Sequence, residues 1–390
     1  MIRFHDPYHL ADNGIAVDAA MLPLLQMLDG NHDVRDIQLA FMKQQSGRIV
    51  YMSEIESFVQ GLDRACLLES DFFLDRLSRL KSEFMSRRTR EPVHAGKAYP
   101  SEPDELGRFI EEVERELTEK QPGQASDLRG QCITGILAPH IDVQVAREAY
   151  VNAFRRLRGR PYETVLVFGV NHLPQEGLYC LSEKDYATPF GNIPTDRDFI
   201  AELRKRVPEG TIDGNDFGHR TEHSIEFQTI FLRYYLGGSF SLIPILCGGV
   251  HEFLFRKENP FEDSRFLNMV KATESLLKER KGPVLLVAGV DFSHVGHKFG
   301  DPMPADALLP QSRAFEARML SHIASGEPER VFEMTAENMD RFRVCGLPAI
   351  LIFSTLLKRD RGELLCHETY DEKATGSAVN YASMVFTREA

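Results

Sequence analysis

Three apolar runs in this sequence each end on a residue that can bind a metal or move a proton. "GILAPH" ends on His140, "TVLVFGVNH" ends on His172, and "VLLVAGVDFSH" delivers Asp291 and then His294. Neutral imidazole is the commonest protein ligand for iron, copper, zinc and nickel. Two imidazoles with one anionic donor leave coordination positions open for chemistry. Cys345, in "RFRVCGLPAILIFSTLL", is a candidate third donor. It stands just before a helical pattern, where the helix N-terminus would draw the thiol toward thiolate. The opposing reading is structural: a strand-end histidine satisfied by a neighbour, Asp291 capping a turn, and Cys345 as a small core residue. Spacing alone leaves both open.

A rival constellation sits in "HRTEHSIEFQ". His219 and His223 are four apart, so on one helix they would share a face and could bind zinc with Glu226. The order differs from His-Glu-x-x-His, where the glutamate adjoins the first histidine and can act as a base. The preceding "DGNDFG" suggests that His219 precedes the helix. His223 then fits better as a donor beside the main site. Cys366 and His367 are adjacent in a strand pattern, where neighbouring side chains face opposite ways and chelate poorly.

The elements that must position these residues follow from the apolar periodicity. From residue 92 onward, "ITGILA", "TVLVFGV", "FSLIPIL" and "VLLVAGV" alternate with helical patterns such as "DELGRFIEEVERELTEK", "AREAYVNAFRRL" and "SIEFQTIFLRYYL". Near-continuous apolar strands separated by helices predict an α/β fold, its largely parallel sheet flanked by helices on both faces. Ligands of such sheets gather beyond the carboxyl ends of the strands. The ending "ELLCHETY…AVNYASMVF" predicts two more strands at an edge. Residues 120–131, "KQPGQASDLRGQ", read as a loop.

Residues 1–75 predict a small helical, winged-helix-like domain. "AAMLPLLQMLDGNHD" reads as a helix stopped at Asp29-Gly30, and Asp33 can cap the next. A third helix is expected from Ser53, with Glu56 completing a capping box and Ile55, Phe58, Val59 and Leu62 on one face. Residues 76–91, beginning "RLSRLKSEFMSRRTR", predict a basic linker helix, either simply solvated or presenting a face to acids or phosphates. Residues 92–390 form the α/β domain.

The 390 residues carry a formal net charge of −12, which argues against nucleic acid as a partner. Six dispersed cysteines without Cys-x-x-Cys suit a reducing compartment. No apolar run approaches about 18 residues and the start lacks a signal-peptide core, so a cytoplasmic protein with no membrane partner is expected.

"AGKAYPSEPDEL", "ILAPH", "VFGVNH", "ATPFGNIPTD", "EHSIEFQ", "LIPILCG", "VDFSHVG" and "CGLPAI" stand in the order expected of the Memo family, which includes protein B of the AmmeMemoRadiSam system. The chain resembles that family over about residues 92–388. The resemblance implies a fold like the catalytic subunit of class III extradiol dioxygenases. It also implies an iron or copper ion between His140, His172 and Cys345. By the same resemblance His294 stands where those dioxygenases keep their base, Asp291 is its polar companion, and His223 lines the pocket. The pattern departs at Ile141-Asp142-Val143, where Ala-Gly-Tyr is usual, at Leu173, where a second histidine is common, and at Ala98, usually aromatic. These changes touch the pocket wall and leave the ligand positions intact. The segment "LLQMLDGNHDVRDI…FVQGLDRACLL" resembles small PqqD-type peptide-binding domains.

Three functions are compatible with this reading. One is a metal-dependent, dioxygenase-like oxidoreductase acting on a small molecule. In it His294 would remove the substrate proton while Asp291 fixes its tautomer. A thiolate is softer than the carboxylate of ring-cleaving enzymes and favours copper(I), zinc or a lower potential. The second is an accessory, peptide-binding component working with a radical-SAM enzyme and an AMMECR1-type protein. The third is a zinc-dependent hydrolase.

Overall fold

The computed structural model of the protein describes residues 1–4, 6–11, 14–44, 49–120 and 131–388. Residues 121–130, most of the expected loop, lie outside the described residues. The chain divides into two compact units, Met1–Ser86 and Arg87–Ala390.

In the first unit an antiparallel ribbon of β1 (Ile2–Phe4) and β2 (Ile15–Val17) precedes four helices: α1 (Leu22–Leu25), α2 (Val34–Gln44), α3 (Met52–Arg64) and α4 (Asp71–Ser86). The first helix is shorter than its sequence suggests. After Leu25 it continues only as tight turns, Met27 and Leu28 bonding three residues back. Asp33 caps α2 as expected, its Oδ1 accepting from the backbones of Arg35 and Asp36 at 2.8 Å. The cap of α3 differs: the helix opens at Met52 after Tyr51, and Glu54, not Glu56, reaches back to the Tyr51 N–H at 2.8 Å. A Glu at the third helical position has the right reach; Glu56 lies half a turn beyond it. Leu24, Ile37, Val50 and Ile55 form the unit's core. The basic stretch expected as a linker belongs, through Ser86, to α4 of this unit.

The second unit opens with β3 (Thr89–Arg90), α5 (Pro103–Lys120), β4 (Cys132–Ala138), α6 (Arg147–Phe154) and β5 (Thr164–Val170). It continues through β6 (Tyr179–Leu181), β7 (Asp185–Tyr186), α7 (Arg197–Arg206), α8 (His223–Leu236) and β8 (Ser241–Cys247). Then come α9 (Val250–Arg256), α10 (Ser264–Lys278), β9 (Val284–Gly289), β10 (His294–Gly296), α11 (Leu309–Ala324) and α12 (Pro328–Glu337). The last elements are α13 (Leu347–Leu356), β11 (Arg361–Glu372) and β12 (Ser377–Arg388).

Eight strands make one sheet in the order β10-β12-β4-β9-β5-β8-β6, with β11 on the far side of β12. The four central strands, β4, β9, β5 and β8, are parallel. Antiparallel strands finish both sides. Only β11 of the two C-terminal strands is outermost, because β12 pairs with β4 as well as β11.

The central strands are buried on both faces. Leu166 and Phe168 of β5 pack with α10, α11 and α13, while their neighbours Val165 and Val167 pack with α5, α6 and α8. Alternate side chains on opposite faces are what a period of two gives, and helices on both faces explain why no polar residue interrupts these strands.

Candidate metal centre

The strand order decides the site. β4, β9 and β5 are immediate neighbours running the same way, so the residues just past their ends, His140, Asp291 and His172, emerge side by side. Cys345 reaches them from the turn before α13. There Gly346 lies so close to the end of β9 that a Cβ would sit 2.6 Å from Val290 Cβ and 2.7 Å from the Asp291 carbonyl oxygen. Any side chain at 346 would push the cysteine outward.

His140 is buried, and its Nδ1 donates to the Gly289 carbonyl at 3.0 Å. A carbonyl only accepts, so Nδ1 carries the proton and Nε2 keeps its lone pair. That Nε2 stands 3.4 Å from Cys345 Sγ and 3.5 Å from an Asp291 oxygen. The other Asp291 oxygen accepts the His140 backbone N–H at 3.0 Å. His172 is held the same way: its Nδ1 meets the Glu222 carboxylate at 2.9 Å, leaving Nε2 as the free donor. The donor atoms of His140, His172 and Cys345 lie within 4.8 Å of one another. Bonds of about 2.0–2.3 Å to one shared ion require a grouping of this size. A carbonyl and a carboxylate steadying the far nitrogens of two histidines is the usual outer arrangement of a metal site. The donors therefore fit a metal ion.

His223, at the start of α8, completes a triangle of imidazoles. Its ring lies 5.2 Å from that of His140 and 5.1 Å, stacked, from that of His172. Burial keeps both His140 and His223 neutral, pushing each down to about 3. Burial is the largest influence on Glu222 and works against its charge, but the His172 hydrogen bond, the His172 and His223 rings and the Ser224 N–H together hold the carboxyl well below its ordinary range. For His172 burial is the largest influence and pulls the pKa down, but the Glu222 hydrogen bond together with the charges of Glu222 and Asp291 raises it overall.

Two sequence expectations change here. The Cys345 thiol is not drawn toward thiolate by the following helix; burial pushes it well up, and the Asp291 charge adds to that. Desolvation of an anion outweighs a half-charge at a helix end. Nor does Asp291 set the tautomer of His294. The His294 Nδ1 instead meets the backbone oxygens of Phe292 at 2.9 Å and Arg343 at 3.2 Å. Its proton is therefore on Nδ1 and its lone pair on Nε2.

The rival zinc set is taken apart by the fold. His219 lies in a short 3-10 turn ahead of α8, buried, with Nδ1 against the Tyr186 hydroxyl at 2.6 Å and Nε2 against the Cys180 carbonyl at 2.9 Å. Glu226 is committed to a buried ion pair with Arg90 and accepts from the Tyr99 hydroxyl and the His94 N–H. Cys366 and His367 part as expected, the first to Ser383 and the second to Glu316. A cleft of about 980 Å³ beside Phe253, Phe332 and Met339 shares no residue with the centre.

Burial of neutral His219 has a consequence for stability. Its pKa is pushed from 6.5 to about 4, chiefly by desolvation. Between those values the unfolded chain binds the extra proton, so the contribution is full above pH 6.5 and is lost as pH falls toward 4. Near pH 5 unfolding should take up close to one proton at this residue, a slope of about 1.4 kcal/mol per pH unit. Urea unfolding of H219Q at several pH values is expected to show a slope smaller by that amount; an unchanged slope would refute the assignment.

Glu222 and Arg90 are the functional residues that sequence reasoning passed over. Glu222 caps α8, its carboxylate accepting from the His223 and Ser224 N–H groups at 2.9 Å each. An acidic residue directly before a helical pattern was the available signal. Arg90 donates to the Glu222 carbonyl at 2.7 Å and to the His219 carbonyl at 3.0 Å, bracing the turn that carries Glu222. It stood inside an expected solvated helix, and nothing local marks it as buried.

The family model for Memo-like proteins matches residues 90–385. A MEMO1 family protein of Aquifex aeolicus is 32% identical over 386 residues, covering 98% of this chain and 94% of that protein. One from Thermus thermophilus is 27% identical, covering 88% of this chain and 95% of its own length. One from Methanopyrus kandleri is also 27% identical, covering 77% of this chain and 99% of itself. Among the described residues no helix is long and apolar enough to cross a membrane.

Proposed function

Because the chain belongs to the Memo family, we propose that it works through one iron or copper ion held by His140, His172 and Cys345, as an oxidoreductase acting on a small molecule. One observation carries this reading. Both histidines have Nδ1 engaged elsewhere, which leaves each Nε2 free, and one donor atom from each histidine lies with the Cys345 sulfur within 4.8 Å of the others. A bound ion of this kind supplies Lewis acidity and one-electron redox chemistry; a sulfur donor favours copper(I), zinc or iron over harder metals, and of these copper and iron carry redox chemistry. The chain's own residues do the rest. His294, with its lone pair on Nε2, acts as the base for a substrate hydroxyl. Neutral His223 supplies a further polar contact beside the ligands.

The test is purification without air and without added metal, followed by elemental analysis. About one iron or copper per chain is expected; stoichiometric zinc would replace this reading with a hydrolytic one. His294→Gln should keep the metal and lose oxygen-dependent turnover of a catechol by about 10²- to 10⁴-fold. Full retention of turnover would remove His294 from the mechanism.

A second reading is supported by the first unit. A cavity of about 520 Å³ lined by Pro23, Leu24, Met27, Ala40, Phe41 and Lys43 is an apolar recess with a single cation beside it. We propose that this unit holds a peptide for a radical-SAM enzyme, with an AMMECR1-type protein as a further partner. Co-purification with those partners, lost on Phe41→Glu, would favour it; no association with either would end it.

A further inference from the structure

We propose that Glu316, buried on α11, is a positioning residue for His294 and acts through the one peptide group between Phe292 and Ser293. The inference rests on the reading of His294 as a base.

That peptide group is held from both sides. Its N–H, on Ser293, donates to a Glu316 oxygen at 2.8 Å, and its carbonyl, on Phe292, accepts from His294 Nδ1 at 2.9 Å. The neighbouring backbone is committed elsewhere. The Phe292 N–H donates to the Asn380 carbonyl and the Asn380 N–H to the Ser293 carbonyl, at 2.9 Å each. The His294 N–H goes to the Phe342 carbonyl at 2.8 Å. A trans peptide points its N–H and C=O in opposite directions, so tying the Ser293 N–H to Glu316 aims the Phe292 oxygen at the imidazole.

Packing alone would favour an apolar residue at 316. Glu316, Ser293 and Asn380 are wholly buried, where a carboxylate is costly unless fully hydrogen-bonded. Its oxygens also accept from the Asn380 side-chain amide at 2.9 and 3.0 Å and from His367 Nε2 at 2.6 Å. Arg313, one turn earlier on α11, is directed away, to the His367 carbonyl and the Thr369 hydroxyl. His367 is therefore the one ion-pair partner of Glu316 among the described residues. A carboxylate on the N–H side polarises the peptide and makes its carbonyl oxygen a stronger acceptor. That oxygen is the nearer of the two that face His294 Nδ1, the Arg343 carbonyl standing at 3.2 Å. The result is the service a carboxylate gives a histidine it touches, a fixed tautomer and a fixed ring, carried across one peptide.

Nuclear magnetic resonance of the full chain, with isotope-labelled histidine and no metal, reads this without a substrate. The His294 signal is the one missing from His294→Gln. In the wild type it should show one tautomer, protonated on Nδ1, with that proton far downfield. Glu316→Gln keeps an oxygen for the Ser293 N–H but removes the charge. The His294 proton should then move upfield and exchange at least about tenfold faster. His367→Ala takes a competing donor from the carboxylate at a partly exposed position, so the same proton should move downfield; this variant decides the matter if Glu316→Gln does not fold. With metal content unchanged, kcat of Glu316→Gln for a catechol should fall about tenfold at constant KM. A wild-type mixture of tautomers, a signal unmoved by either variant, or a moved signal with full kcat would overturn the proposal. Full turnover by His294→Gln, or none by the wild type, would instead end the reading of His294 as a base, and the spectra alone would then judge the link to Glu316.

Discussion

Cys345→Ala, purified anaerobically, is expected to retain less than about a tenth of the wild-type metal, and His140→Ala and His172→Ala should do the same. Each supplies one of three donors, and even residues that only orient a ligand typically cost 10- to 100-fold in metal affinity when replaced. Losing the donor itself should cost more than about 100-fold. Glu222→Gln is the graded control. It keeps a side-chain oxygen near His172 Nδ1 but removes the charge, so an intermediate loss of about tenfold is expected. The fold should survive, because the ligands sit at strand ends and not between the sheet and its helices. Circular dichroism would confirm that, and competition with a chelator would rank the affinities. Metal stoichiometry unchanged in all three ligand variants would dismantle the centre as described.

Arg90→Met should cost the second unit about 3–5 kcal/mol of unfolding free energy, the range seen when one partner of a buried ion pair is removed. Arg90 and Glu226 are both almost wholly inaccessible, with side chains 1% exposed. Without the guanidinium, Glu226 keeps the Tyr99 hydroxyl and the His94 and Val93 N–H groups, but no countercharge. Arg90→Met/Glu226→Leu removes both charges and should recover much of the loss, since an apolar replacement of a buried pair is often neutral. The carbonyls of His219 and Glu222 would still lack their donor, so recovery should be incomplete. Urea unfolding of the single and double variants supplies the comparison. A single variant losing less than about 1 kcal/mol would show that Arg90 is not the brace inferred here.

The parallel core was readable because its code is local. Runs such as residues 165–170, apolar at every position, can be satisfied only between two layers of helices. Donor types at strand ends were equally plain, since "APH", "VNH" and "DFSH" each follow such a run. Local patterns also misled where two readings share one signature. Ser53 and Glu56 have capping-box spacing, yet Tyr51 and Glu54 form the cap. The basic run through Arg90 reads as a solvated helix, although Arg90 itself is buried beside Glu226.

The sequence by itself determined which residues could serve as donors and that they stand where strands end. Only the tertiary structure decided that β9 lies between β4 and β5, so that the ends of all three adjoin. It alone decided that the Gly289 carbonyl and Glu222 take up the far nitrogens of His140 and His172. It also raised the Cys345 thiol by burying it and turned the His294 Nδ1–H toward backbone oxygens. The division has a physical cause. Periodicity and residue chemistry are properties of a few neighbouring residues, whereas strand order, burial and the partners of His140 and His172 depend on segments distant in the chain, 149 and 50 residues away for Gly289 and Glu222.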